Sequence, residues 1–385
     1  MKKIAVVTAT RAEYGLLSPV IQELRMQENN EFRIDLIVTG THLSEKYGMT
    51  VDEIKERIDQ KISISVESDT ELNISENQAE ALVKFTQLFI KEQYNAVLLL
   101  GDRYETLAIA MAAGNTRTPI FHLCGGDTTE GALDEWMRHA ITKIAYLHFT
   151  TNEESRKRVI QLGESSDRVF NYGSTSIDNI LNVADMAKEE ALKSVGLADC
   201  RYALCTYHPV TMEGGSVDEQ ISQFLDAIRS FPELEFIVTK SNADRGGARI
   251  NALFDEAESQ MDNLHVFTSL GVRRYLSLMK YAEVVLGNSS SGIIETSAFH
   301  IPTVNIGDRQ KGRLQSASIV NCKPDSNSIM RAIRTSLSDD HKAICKAIVC
   351  PYGDGHAAER IARKTVEVVR ENSINLKKKF YDMMR

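Results

Sequence analysis

Polar side chains able to do chemistry fall in clusters, each straight after a short apolar run. After KIAVVTA comes TATRAEYG, where Arg11 suits a two-pronged contact to a phosphate; taken alone it also reads as a surface arginine in a first helical turn. After FRIDLIVTG comes GTHLSEKYG with His42, which on spacing alone also reads as a polar side chain bonded to backbone. LLLGDRYETLA offers Asp102 and Arg103, a carboxylate for proton transfer and a cation; helix capping by Asp102 and pairing of Arg103 with Glu105 are the plainer alternatives. The richest cluster, FHLCGGDTTEGALDEWMRHA, holds His122, Cys124, Asp127, Glu130, Asp134, Glu135, Arg138 and His139 around a double glycine. Carboxylates crowded together acquire separated proton affinities, which general acid and base catalysis needs. An acidic first helical turn explains Asp134 and Glu135 without chemistry, and Cys124 reads better as a small strand-end residue than as a nucleophile.

The second half repeats the arrangement with different side chains. TYHPVT places His208 before a proline, and SNAD places Ser241, Asn242 and Asp244 after the next apolar run. In LGNSSSGIIE a strand-like run meets Asn288, Ser289, Ser290 and then a helical pattern. Small hydroxyl residues there cap helices, but a helix start with free N–H groups and a positive dipole end also receives phosphate. Arg309, Lys311 and Arg313 follow in IGDRQKGR. Glu295 would repel an anion and suits the hydroxyls of a ribose, so this half points to a nucleoside diphosphate.

The elements that position these residues alternate. Eleven short runs, six in a first series and five in a second, are apolar on both faces, as buried parallel strands are, and amphipathic segments such as SPVIQELRMQ and RRYLSLMKYA separate them. This predicts an α/β chain of two Rossmann-like, doubly wound parallel-sheet domains, with ligands beyond the C-terminal strand ends. At 385 residues the chain is too long for one ordinary core. We expect an N-terminal domain over 1–175, a C-terminal domain over 176–360 binding nucleotide, and a helix over 361–385 returning to the first domain. A net charge of −8 argues against nucleic-acid binding, and no run is long enough to span a membrane. Six cysteines without metal-ligand spacing suit a reducing cytoplasm, and MKKIAVVTAT reads as a first strand rather than a leader. The first strand-end loop lacks the G-x-G-x-x-G of a dinucleotide site, so neither a cofactor nor a metal is expected.

Read together, TRAEYG, TGTHLSEKYG, LGDRYE, GGDTTEGALDEWMRHAITK, YHP, SNAD, GNSSSGIIE and NIGDRQKGR resemble the hydrolysing UDP-N-acetylglucosamine 2-epimerases, over nearly the whole chain. The resemblance implies a glycosyltransferase-B type fold, its two domains facing a cleft. It implies release of N-acetylmannosamine and UDP from a UDP-sugar, for sialic acid synthesis. Arg11, Arg103, His208, Asn242, Leu270, Ser289, Ser290, Glu295 and Arg309 would hold UDP. Asp102 and Asp134 would be catalytic, with Asp127 and His208 as further candidates, and His42, Cys124 and Arg138 would line the sugar side. A homo-oligomer, dimer or tetramer, is expected. Cys124 stands where many relatives carry an acid, and a thiol does not replace a carboxylate at neutral pH. That departure keeps a second substrate open, the UDP-2,4-diacetamido sugar of the legionaminic acid route (UDP-N,N'-diacetylbacillosamine). A non-hydrolysing epimerase and a non-catalytic nucleotide-sugar sensor are the remaining alternatives.

Overall fold

The computed structural model describes residues 1–66, 70–129, 134–208, 217–241 and 247–382, with 181 and 182 described by backbone alone. It divides into two compact units. One comprises Met1–Thr128, Leu133–Asp178 and Tyr352–Arg385, the other Thr129–Ala132 and Asn179–Pro351.

The first unit is built on seven strands: β1 (Lys2–Thr8), β2 (Phe32–Thr39), β3 (Gln60–Ile62), β4 (Ala96–Leu100), β5 (Ile120–Leu123), β6 (Leu147–Thr150) and β7 (Val169–Asn171). Its helices are α1 (Arg11–Met26), α2 (Glu71–Glu92), α3 (Tyr104–Thr116), α4 (Glu135–Ile144) and α5 (Glu153–Gln161); α6 (Thr175–Val183) spans the division between units. The strands pair in parallel in the order β3-β2-β1-β4-β5-β6-β7. Side chains alternate across β1. Ile4 and Val6 join a core with Leu17, Val20, Ile21 and Leu24 of α1, while Ala5 and Val7 face Phe85 and Phe89 of α2 with Ile109 and Ala113 of α3. Each fully buried aliphatic side chain contributes about 1.5–3 kcal/mol. Both sheet faces are therefore covered, which explains the unbroken apolar strands.

The second unit follows the same rule. α7 (Lys188–Lys193) leads into β8 (Tyr202–Thr206), α8 (Val217–Ile228), β9 (Glu235–Thr239), α9 (Gly247–Glu258), β10 (Leu264–Phe267) and α10 (Gly271–Tyr281). Then come β11 (Val284–Gly287), α11 (Ser291–Phe299), β12 (Thr303–Ile306), β13 (Ile319–Cys322), α12 (Ser326–Leu337) and α13 (Asp339–Ala347). The parallel sheet runs β10-β9-β8-β11-β12-β13. In both sheets the order reverses beside the first strand, at β1/β4 and at β8/β11, which opens the crevice where α/β sheets take ligands.

α14 (Ala357–Glu371) belongs to the first unit, where Ile361, Ala362, Val366 and Val369 join the core that includes α1. The Asp178 carboxylate caps its start, accepting from the amides of Ala357 and Ala358 at 3.2 and 2.8 Å. The expected helix through 385 is corrected here. α14 stops at Glu371, because Asn372 turns left-handed at φ 53°, and residues 373–382 continue without helix. β3 and β13 are additional to the strands expected from the sequence.

Candidate active site

In the first unit, Asp102, Arg103 and the start of α3 follow β4 at the point where strand order reverses. The structure adds one carboxylate that sequence reasoning overlooked, Glu13, and shows the pairing of Arg103 with Glu105 that the sequence offered as the plainer alternative. Glu105 is fully buried and receives Nε and Nη2 of Arg103, both at 3.2 Å. Glu13 closes a capping box with Thr10 at the start of α1. Its Oε2 accepts from the amides of Ala9 at 2.8 Å and Thr10 at 3.1 Å. Burial lifts the Glu13 carboxyl to about 7, against the pull of Arg103. The T-x-x-E spacing was the available signal for Glu13; nothing marked Glu105 as buried.

Asp134 stands at the N-terminus of α4, where its side chain forms no cap hydrogen bond. Burial, reinforced by the Asp102 carboxylate, pushes Asp134 up to about 6. One turn into α4, Arg138 is buried and ion-paired with Asp102. It also donates to Glu135 and to the Asp127 backbone carbonyl, each at 2.8 Å. Asp102, Arg103, Asp134 and Arg138 thus form one electrostatic group, a carboxylate pair with two guanidiniums. A carboxyl lifted toward neutrality beside a second carboxylate suits acid–base work.

The other first-unit candidates sit differently. Arg11 opens α1 on the surface, its side chain half exposed and 3.9 Å from Glu53. His42 is fully buried between the hydroxyls of Thr8, at 3.1 Å, and Thr50, at 2.8 Å, and burial lowers it to about 4. Asp127 turns its Oδ1 to the hydroxyls of Thr151 and Ser155, both at 2.6 Å. Cys124 is half-buried against the core and left-handed at φ 64°. His122 is fully buried beneath it, bonded to the Gly101 carbonyl at 2.8 Å and held near 3 by burial.

The second unit places Asn288, Ser289 and Ser290 between β11 and α11. Ser290 is the N-cap residue of α11, yet its side chain makes no cap hydrogen bond, so capping does not account for it. The Ser289 hydroxyl accepts from the Ser291 amide at 3.3 Å. Asn288 is a hub that the sequence marked only by position. Its amide group exchanges two bonds with the His208 backbone, at 2.7 and 2.8 Å. Its own carbonyl accepts from Arg309 at 3.0 Å and Gln310 at 2.8 Å. The end of β8, the start of α11 and the Arg309 loop are therefore locked together. His208 bonds Ser241 at 3.2 Å, and burial, with Arg309 beside it, lowers its ring to about 4. Glu295 lies one turn along α11, and Leu270 is buried at the start of α10. Asn242, with Glu130 and Asp244, lies outside the described residues. Among the described residues no three His, Cys, Asp or Glu side chains are grouped to hold a metal, and no helix is long and apolar enough to cross a membrane.

Two doubly wound parallel sheets, each with its polar cluster at the reversal of strand order, define a glycosyltransferase-B type fold. A UDP-N-acetylglucosamine 2-epimerase of Neisseria meningitidis, solved bound to UDP-GlcNAc, shares that fold with a TM-score of 0.82 at 18% identity, over 95% of this chain and 100% of that one. The family model for UDP-N-acetylglucosamine 2-epimerase matches residues 24–365, and the chain belongs to that family. It is 35% identical to polysialic acid biosynthesis protein P7 of Escherichia coli, over 100% of this chain and 98% of that protein. It is 38% identical to the GDP/UDP-N,N'-diacetylbacillosamine 2-epimerase (hydrolyzing) of Campylobacter jejuni, over 83% and 84% of the two chains.

Proposed function

We propose that the protein is a hydrolysing UDP-sugar 2-epimerase, converting UDP-N-acetylglucosamine and water to N-acetylmannosamine and UDP. The observation that carries this reading is the Asp102–Arg138 ion pair beside Asp134, whose carboxyl is poised at about 6. The hydrogen at C2 of the sugar has no adjacent carbonyl to acidify it. Departure of UDP makes C1 cationic in character and C2–H acidic. A carboxylate removes that proton as the C1–O bond breaks, leaving a glycal. Water then adds its oxygen to C1 and a proton returns to C2 from the opposite face. Asp102 and Asp134 are the candidates for the two transfers, with Asp127 and His208 as further candidates. Arg309, Arg103, Arg11 and the start of α11 would stabilise the departing diphosphate. Leu270, Glu295, Asn242, Ser289 and Ser290 would complete the nucleotide contacts, and His42 and Cys124 would line the sugar.

A second substrate, UDP-N,N'-diacetylbacillosamine, is favoured by the similarity to the Campylobacter jejuni enzyme and by Cys124 in place of an acid. Incubating the purified protein with each UDP-sugar and measuring free UDP and free sugar tests both readings. Release of UDP with the manno sugar is expected. Formation of a UDP-manno sugar without free UDP would make the enzyme a non-hydrolysing epimerase, and no turnover of either donor would overturn the proposal.

A further inference from the structure

Residues 373–382, after α14, do not hang free. The Lys378 ammonium donates to the Lys143 carbonyl at 2.9 Å and the Ala145 carbonyl at 2.6 Å, at the C-terminal end of α4. It also pairs with Glu164 at 2.7 Å. Glu164 is fully buried and holds Lys143 at 2.6 Å and His148 at 3.2 Å as well. The Phe380 ring lies on Gly163 so closely that a Cβ there would meet it at 2.5 Å, and beneath the Lys143 ammonium at 5.0 Å. The Tyr381 amide donates to the Gly163 carbonyl at 2.9 Å. Lys378 and Phe380 thus fasten this segment to the far end of the helix whose first turn carries Asp134, Glu135 and Arg138, and Phe380 and Tyr381 fasten it to Gly163 beyond α5.

From this geometry we infer that the segment 376–381 is a strap that positions α4, with Lys378 as its positioning residue for the Asp102–Asp134 pair. A lysine on the last carbonyls of a helix satisfies acceptors that have no partner within the helix and opposes the negative dipole end. α4 has only ten residues, so a shift at Lys143 and Ala145 is carried along the rod to Asp134 and Arg138. Proton transfer is sensitive to such shifts, since displacement of a reacting group by about 1 Å costs ~100-fold in rate. None of the anchors lies on a nucleotide-binding candidate, so the strap acts on turnover and not on UDP affinity. What it says of turnover rests on the proposed reaction; what it says of α4 rests on the first unit alone.

Lys378→Met keeps the apolar stem and removes the donors, while Glu164 retains Lys143. The full-length variant should hold its melting behaviour and its calorimetric affinity for UDP. Its kcat on the UDP-sugar that the unaltered protein turns over should fall by about 10-fold, with KM unchanged. Amide exchange across 135–145 should accelerate, and Lys378→Arg should recover both properties. Unaltered kcat in Lys378→Met, or a loss that Lys378→Arg leaves in place, overturns the positioning role. Unaltered exchange in α4 overturns the strap even if the unaltered protein turns over neither UDP-sugar, the outcome that defeats the proposed reaction separately.

Discussion

Arg138 reaches back from α4 to the Asp102 carboxylate with one amino group, while the other holds Glu135 and the Asp127 carbonyl at 2.8 Å. One guanidinium therefore fixes the strand-end carboxylate relative to the first turn of the helix that carries Asp134. A carboxylate so held has little orientational freedom, which suits a group that must meet a carbon-bound proton along one line.

Asp102→Asn keeps the side-chain shape and removes the base. Steady-state turnover of the UDP-sugar should fall by at least ~100-fold, while UDP affinity measured by calorimetry is retained. Near-normal turnover would take Asp102 out of the chemistry.

Elimination and rehydration leave a mark in the product. In D₂O the released sugar should carry deuterium at C2, read by mass spectrometry and proton NMR. A sugar inverted at C2 that retained its original hydrogen would exclude the glycal route.

Glu13 makes stability depend on pH with a definite sign. Its folded-state carboxyl holds a proton more tightly than the unfolded one, so its contribution is complete below about 4.5 and is lost as pH rises through about 7. The difference corresponds to about 3 kcal/mol. Glu13→Gln presents a neutral group of the same shape and should flatten this part of the profile. Urea unfolding from mildly acidic to mildly alkaline pH compares the two proteins. Parallel profiles would mean that Glu13 stays ionised in the folded state.

Gly287 ends β11 at φ 133°, and a Cβ there would lie inside the Thr206 carbonyl oxygen. Gly287→Ala should cost about 3 kcal/mol or more, since backbone strain and a fixed clash combine. Thermal melting reads this directly, and an unchanged midpoint would refute the close approach of β8 and β11.

Asn288→Asp replaces the amide donor facing the His208 carbonyl with an oxygen. A lost bond and a repelled buried acceptor cost on the order of 2–3 kcal/mol. UDP affinity should drop at least ~10-fold as the His208 and Arg309 segments come apart. Retained affinity with a lowered melting point would separate the hub from nucleotide binding.

The parallel sheets were legible because Ile4 to Val7 or Val97 to Leu100 are apolar without interruption, and only a strand covered on both faces needs that. β3 and β13 were not, because each is an edge strand of three or four residues with half-exposed side chains and no apolar run. The helix end at Asn372 was hidden for a related reason. INLKKKFYDMM keeps a helical spacing of apolar residues, while its anchors on α4 and Gly163 are long-range. Asp102, Asp134 and Arg138 could be named from strand-end position. Pairing of Glu105 with Arg103 could be named as an alternative, but the burial of Glu13 and Glu105 could not, since an acid in a first helical turn is ordinarily solvated.

His42, His122 and His208 all sit buried at strand ends with rings held near 3 to 4. None becomes a cation in mildly acidic surroundings, so under the proposed function the charge that Arg103 and Arg309 would offer a nucleotide does not depend on histidine titration. Under the proposed function, grip on the leaving group and the rate of its expulsion would part company along the acidity axis: protonation of Asp134 near 6 would slow proton transfer while the hold on the nucleotide persists.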